Sequence, residues 1–328
     1  MLKKVLKGLG ILLGVVVALL IGGYIYVEAT CVRDYSRTPL PNIHASRDPE
    51  VIARGEYLAN AVAHCSACHG PATSVSQHRL ATDLKDLRGG ANLEAGPFGT
   101  YRPANITQDR ETGIGALSDG QIARAIRHGV DRHGHFAPLM ALAVGNMADE
   151  DLTALVSYLR TVPAISNRVA ADEWGFIAKA LSSKFHPNNR PPLRYVAAGE
   201  ASRERGEYLA NGPAFCVGCH TPIDPMAGFA PAGPLFSGEA EPEPDPLDPN
   251  FVFTIPNLTP DPETGVMAHW DEDQFLARIR AGGAHRGSKM PWDNFGRMTD
   301  NDWRSIYRYL HSLPPTRHDT GASHRRVQ

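Results

Sequence analysis

Hydrophobic and polar positions divide the chain into one unbroken apolar run and a series of amphipathic segments. From Gly8 to Val27 no residue carries a charge. These twenty positions, rich in Leu, Val, Ile and Gly, have the length of a helix spanning the hydrocarbon core of a bilayer. Lys3, Lys4 and Lys7 precede the run and favour a cytoplasmic N-terminus, which puts everything after about Glu28 outside. A cleaved signal peptide ending near Ala29 is the alternative, but its apolar region is usually shorter. Residues 1–30 are therefore expected to form a retained transmembrane anchor, with Tyr24 and Tyr26 at the outer interface. Residues 31–47, with Pro39 and Pro41, read as an irregular spacer.

Beyond the spacer the pattern turns helical. Asp48 is placed to cap a helix with Pro49 at its first position, where a missing N–H costs nothing. That helix should carry Val51, Leu58 and Val62 on one face. Ser118 with Gln121 forms a capping-box pattern ahead of Ile122, Ile126 and a terminating Gly129. Asp271, Gln274, Phe275, Ile279 and Gly282 repeat it. Leu152, Leu155, Val156 and Leu159 recur at helical spacing, as do Trp303, Ile306, Tyr307 and Leu310, with Pro163 and Pro314 just beyond. Each of these terminal helices needs an apolar partner, and the helix ahead of residue 65 or 216 is the natural one. Trp174, Phe176, Ile177, Leu181 and Phe185 predict a short amphipathic helix between the two sets, read as packing or as a membrane- or partner-facing patch. The acidic, Pro-rich run 239–249 reads as a solvated loop, a docking role for its charge being the lesser reading.

The two sets are copies. Arg54-Gly55-Glu56-Tyr57-Leu58-Ala59-Asn60 recurs as Arg205-Gly206-Glu207-Tyr208-Leu209-Ala210-Asn211, an offset of 151 (205 − 54). Asn105-Ile106-Thr107 and Glu111-Thr112-Gly113 recur as Asn257-Leu258-Thr259 and Glu263-Thr264-Gly265. The repeat divides the chain into an anchor (1–30), a spacer (31–47), a first unit (48–163), a linker (164–198), a second unit (199–315) and a tail (316–328).

Composition changes the picture in two respects. A formal charge of −2 gives no basic field for nucleic acid,. Of five cysteines, four fall in Cys65-Ser66-Ala67-Cys68-His69 and Cys216-Val217-Gly218-Cys219-His220, leaving Cys31 as an incidental thiol. Cys-x-x-Cys-His is the spacing of c-type haem attachment: two thiols bond the haem's vinyl groups, and the following imidazole binds the iron from one face. A redox or zinc dithiol is the rival for a single copy, and a second copy with matching flanks argues against chance. Two covalently bound haems c are expected, and 31 Gly and 26 Pro suit a loop-rich chain whose core is partly cofactor,.

Each iron then needs a sixth ligand to pass electrons without binding small molecules. Met147 and Met298, directly ahead of the terminal helices, read as packing residues. Met140 and Met290 fall in what reads as the preceding loops, and Met290-Pro291-Trp292 has a stiffened turn suited to holding a thioether on iron. His128, His133 and His135 leave a bis-histidine first centre open. Helix-end and loop histidines such as these, His64 and His285 are more often solvent-exposed than ligands.

In this order the motifs resemble the cytochrome c subunits of membrane-bound alcohol, aldehyde and gluconate dehydrogenases, over residues 50 to 315. The resemblance implies a class I cytochrome c fold for each unit, hence an all-α protein with two tandem domains. Cys65, Cys68, His69 and Met140 would serve one haem, and Cys216, Cys219, His220 and Met290 the other. It further implies electrons received from a quinoprotein, flavin or molybdenum dehydrogenase and passed to quinone or another cytochrome. Those subunits commonly carry three haems and this chain has two motifs. The expected protein is a single-pass cytochrome of the bacterial inner membrane, its soluble domains in the periplasm. No general base, nucleophile or oxyanion site is visible. The rivals are a dihaem peroxidase or thiosulfate-oxidising cytochrome with one exchangeable axial position, and a docking adaptor.

Overall fold

The computed structural model describes residues 2–31, 33–76, 82–227, 229–285 and 287–327. Helix α1 (Leu2–Thr30) contains the charge-free run, and it is long and apolar enough to cross a membrane. Its outer end touches the body of the protein: Tyr24 stacks on Phe176 at 5.9 Å and Lys179 pairs with Glu28 at 2.9 Å.

The rest is largely helical and follows the repeat. The first copy contributes α2 (Pro49–Tyr57), a π-helical turn (Leu58–Val62), α3 (Cys65–His69), α4 (Ala72–Ser76), α5 (Asp119–His128), α6 (Pro138–Val144) and α7 (Asp149–Leu159). A connecting helix α8 (Phe176–Leu181) follows. The second copy supplies α9 (Arg203–Asn211), α10 (Cys216–Cys219), α11 (Glu272–Arg280), α12 (Trp292–Phe295) and α13 (Asp300–His311). The anticipated caps are present: the Asp48 side chain accepts from Glu50 N–H, and both capping boxes, Ser118 with Gln121 and Asp271 with Gln274, are closed.

The purely helical expectation needs correction, because among the described residues three small antiparallel sheets join the helices. Strands β1 (Leu93–Glu94), β2 (Gly99–Tyr101) and β3 (Glu173–Trp174) tie the linker to the first copy, and β4 (Ile223–Asp224) pairs with β5 (Ala230–Pro231). The third sheet takes up the run expected to be a solvated loop, together with the tail. The acidic run begins as β6 (Glu239–Pro244) on β7 (Phe251–Ile255), and the tail returns as β8 (His324–Arg326) on the other side of β7. Proline is tolerated on an edge strand, which is how Pro242 and Pro244 fit within β6. The tail is held by His324, whose Nε2 lies 3.0 Å from Asp245 Oδ2 and whose ring meets Phe251 at 4.7 Å. Neither partner is visible in a local reading of either segment.

The repeated Arg-Gly-Glu-Tyr segment now has a physical meaning for three of its residues. The most extensive helix contacts are α2 with α7 and α9 with α13. At each crossing the glycine lets the backbones meet: a Cβ at Gly55 would lie 1.9 Å from the Ala154 carbonyl oxygen, and one at Gly206 would lie 1.9 Å from that of Ser305. The arginine pins the same crossing, Arg54 to Asp151 and Arg205 to Asp302, each through two hydrogen bonds. The tyrosine reaches into the other copy. Tyr57 donates to Asp302 at 2.7 Å, and Tyr208 donates to Asp151 at 2.7 Å.

Each carboxylate is thus shared by an arginine of its own copy and a tyrosine of the other. One continuous apolar cluster also crosses between the copies, joining Leu58, Val62 and Ala148 to Leu209, Phe295, Trp303 and Ile306. A second cluster lies within the first copy, around Ile122, Met147, Leu152 and Leu155.

Tyr57 gives these contacts a signature in pH. Burial and the neighbouring Asp302 carboxylate push its phenol up to about 12, whereas an unfolded chain titrates it near ~10. The folded state holds the proton more tightly, so this contribution is whole below about pH 10 and is lost as pH rises towards about 12. Tyr57→Phe is expected to flatten the fall in stability across that window. Urea unfolding at matched pH measures it, and identical slopes for the two proteins would dismiss the contact as a determinant.

Candidate haem-binding site

In each copy a short helix carries the Cys-x-x-Cys-His motif, and the chain enters it through a left-handed residue, His64 at φ 40° and Phe215 at φ 54°. The approach is the same in both: Ala63 N–H donates to Leu58 O at 2.7 Å and Ala214 N–H to Leu209 O at 3.0 Å, each spanning five residues. His64 departs from the solvent-facing role expected of it. Its Nδ1 lies 3.2 Å from the Val62 carbonyl and its ring meets Phe295 edge-on at 5.4 Å, because the left-handed turn directs it inward. His133, His135 and His285 are exposed, and His128 is bonded to the Asn188 carbonyl.

His69 and His220 are buried, each oriented by one backbone carbonyl. Nδ1 of His69 lies 2.8 Å from Ala104 O, and Nδ1 of His220 lies 3.0 Å from Pro256 O. Such a bond fixes the ring and its tautomer and leaves Nε2 for a metal. Burial lowers the pKa of both imidazoles, with the carbonyl opposing it. The neutral form required of a ligand is therefore favoured.

The two carbonyls were not picked out from the sequence, though the signal was there. Each directly precedes the repeated Asn-x-Thr. Asn105 Oδ1 accepts from Thr107 N–H at 3.0 Å and from its hydroxyl at 2.7 Å, while Nδ2 donates to Ile165 O and Thr112 Oγ1. Asn257 does the same with Thr259, Thr316 O and Thr264 Oγ1. These buried polar knots hold the loop that aims the carbonyl at the histidine. A second bond ties the loop below, from Gly89 N–H to His69 O and from Gly238 N–H to His220 O. Both glycines have positive φ, 65° and 79°, which a side chain would resist.

All four thiols are unpaired. Burial pushes Cys65 and Cys216 up to about 12, the reverse of the depressed pKa on which a redox-active dithiol depends. Among the described residues no three His, Cys, Asp or Glu side chains converge as a metal site. The residues fit haem c: two neutral thiols for thioethers, and a following imidazole with only Nε2 free.

The methionines divide as expected in one respect and not in another. Met147 and Met298, 0% and 1% exposed, are core residues ahead of α7 and α13. Met290 lies in a loop, but Met140 stands inside α6, which Pro138 starts at its first turn. Met140 and Cys65 pack on the same apolar cluster, and Met290 and Cys216 on the other.

Residues 52–163 match the cytochrome c family. They form a cytochrome c domain, which implies covalently bound haem c. The chain is 30% identical to the cytochrome c subunit of a quinone alcohol dehydrogenase from Gluconacetobacter polyoxogenes, across 82% of this chain and 57% of that subunit. It is 28% identical to the gluconate 2-dehydrogenase cytochrome c subunit of Pantoea cypripedii, across 80% and 59% respectively. A dihaem c-type cytochrome of Cereibacter sphaeroides is 27% identical, across 81% of this chain and 90% of its own length. The chain therefore resembles cytochrome c subunits of dehydrogenases while spanning rather more than half the length of the two dehydrogenase subunits.

Proposed function

We propose that this protein is a membrane-anchored dihaem cytochrome c that relays electrons from a periplasmic dehydrogenase to quinone or another cytochrome. In this reading residues 48–163 and 199–315 are tandem class I cytochrome c-like domains, each holding one haem c. Cys65 and Cys68 bind the first and Cys216 and Cys219 the second. His69 with Met140, and His220 with Met290, would hold the two irons. Haem supplies one-electron iron chemistry. The chain's own part is to fix the imidazoles through Ala104 and Pro256, to surround the centres with apolar side chains, and to hold the two motifs side by side.

The observation that carries the reading is the repeated histidine-to-carbonyl bond beside a pair of unpaired cysteines, formed twice by the same polar knot. Resemblance to dehydrogenase subunits supports a quinoprotein, flavin or molybdenum enzyme as the donor. The apolar, Lys-led α1 supports a single-pass anchor in the bacterial inner membrane.

Intact mass of the mature protein is expected to exceed the polypeptide by two haems, and Cys216→Ser combined with Cys219→Ser should remove one of them. The reduced protein should contain only low-spin haem and resist carbon monoxide. A single haem in the wild type, or a high-spin ferric centre, would overturn the relay in favour of one haem or of a dihaem enzyme.

A further inference from the structure

The segment carrying Met290 reaches across the molecule to the other haem-attachment motif. Pro291, at φ −78° and ψ 64°, makes an inverse γ-turn closed by Trp292 N–H donating to the Met290 carbonyl at 2.8 Å,. Ser288 Oγ accepts from Met290 N–H and from Trp292 Nε1–H, each at 3.3 Å. Two residues beyond Trp292, Asn294 is 1% exposed. Its Nδ2 donates to the Asn60 carbonyl at 2.8 Å and to Ser66 Oγ at 3.0 Å. Ser66 is buried between Cys65 and Cys68. The neighbouring Phe295 adds the edge contact to His64, the residue that opens α3.

This bridge runs one way. The position 151 residues before Asn294 is Ala143, which has no amide, and the position matching Ser66 in the second motif is Val217. Neither residue belongs to the repeated pattern. A buried carboxamide with both hydrogens engaged is a rigid tie, and breaking it leaves polar groups without partners.

We propose that Asn294 is a positioning residue that couples the two centres by clamping the Met290 segment to the first haem-attachment helix. Retention of the second centre's sixth ligand then depends on a contact inside the first motif, while the first centre's ligand has no such dependence. The proposal rests on Met290 being that sixth ligand.

The test uses the full-length, haem-loaded protein with carbon monoxide as probe. Asn294→Asp keeps the shape, removes both donations and sets an acceptor against the Asn60 carbonyl. Ser66→Val installs the residue that the second motif already tolerates, and Ser66→Thr retains the hydroxyl. Carbon monoxide should bind the reduced Asn294→Asp protein about tenfold faster than wild type, as expected from the loss of buried hydrogen bonds. Ser66→Val should fall between the two, with Ser66→Thr close to wild type. The ring-current-shifted methyl resonance of Met290, identified by its loss in Met290→His, should weaken in the same order. If that substitution removes no shifted methyl, the ligand reading itself fails. If it does remove one, yet both Asn294→Asp and Ser66→Val bind carbon monoxide within twofold of wild type, the coupling is overturned. Should Asn294→Asp not fold, Ser66→Val decides alone.

Discussion

Asp302→Ala is expected to destabilise the haem-loaded protein by about 3–5 kcal/mol, the usual consequence of removing one partner from a buried ion pair. The side chains of Arg205 and Asp302 are 1% and 4% exposed, so neither water nor salt can replace what is lost. The Arg205 guanidinium would keep the Val196 carbonyl, at 2.6 Å, and the face of the Tyr208 ring, neither of which carries a charge. Tyr57 would lose its acceptor at the same time, so the change acts within one copy and between the two. Asp151→Ala should cost less, because its partner Arg54 is 17% exposed and can turn to solvent, though Tyr208 would be stranded in the same way. Urea unfolding followed by circular dichroism and haem absorbance measures both. A loss below about 1 kcal/mol for Asp302→Ala would place the pair with weak surface bridges.

Gly206→Ala should be of similar severity for a steric reason. The added methyl would sit 1.9 Å from the Ser305 carbonyl oxygen and 2.4 Å from its carbon. Because the obstacle is main chain, no side chain can rotate away, and α9 must separate from α13. Overpacking of a core typically costs about 1–3 kcal/mol, and a backbone collision belongs at or above the upper end. Roughly 3 kcal/mol corresponds to a fall of about 6–12 °C in melting temperature for a body of this size. Gly199→Ala is the control, since nothing lies within 4 Å of a Cβ there. If Gly206→Ala melts within a degree or two of the wild type, the close crossing is not a determinant of the fold.

Features that depend on neighbours in the chain were legible in the sequence. Caps, helix frames, attachment motifs and the repeat all follow from local spacing, and Met147 and Met298 were placed in the core from position alone. Features that depend on distant partners were not. His64 turned inward because of a left-handed backbone and a ring supplied by Phe295. Residues 239–244 became a strand because β7 was available to pair with them, and the tail became another for the same reason. The carbonyls of Ala104 and Pro256 carry no side-chain signature, and the asparagine beside each was their only mark.

The sharing of Asp151 and Asp302 has a geometric consequence. Tyrosine from one half meets carboxylate of the other, and the reverse pair is made by the equivalent residues at the same 2.7 Å. A contact that reads identically from both sides is isologous, the kind by which two identical subunits close a two-fold dimer. Here the same reciprocal pairing is made between two repeat copies of one polypeptide. Within that frame, the tie from Asn294 to Ser66 is a departure, since Ala143 and Val217 stand at the matching positions.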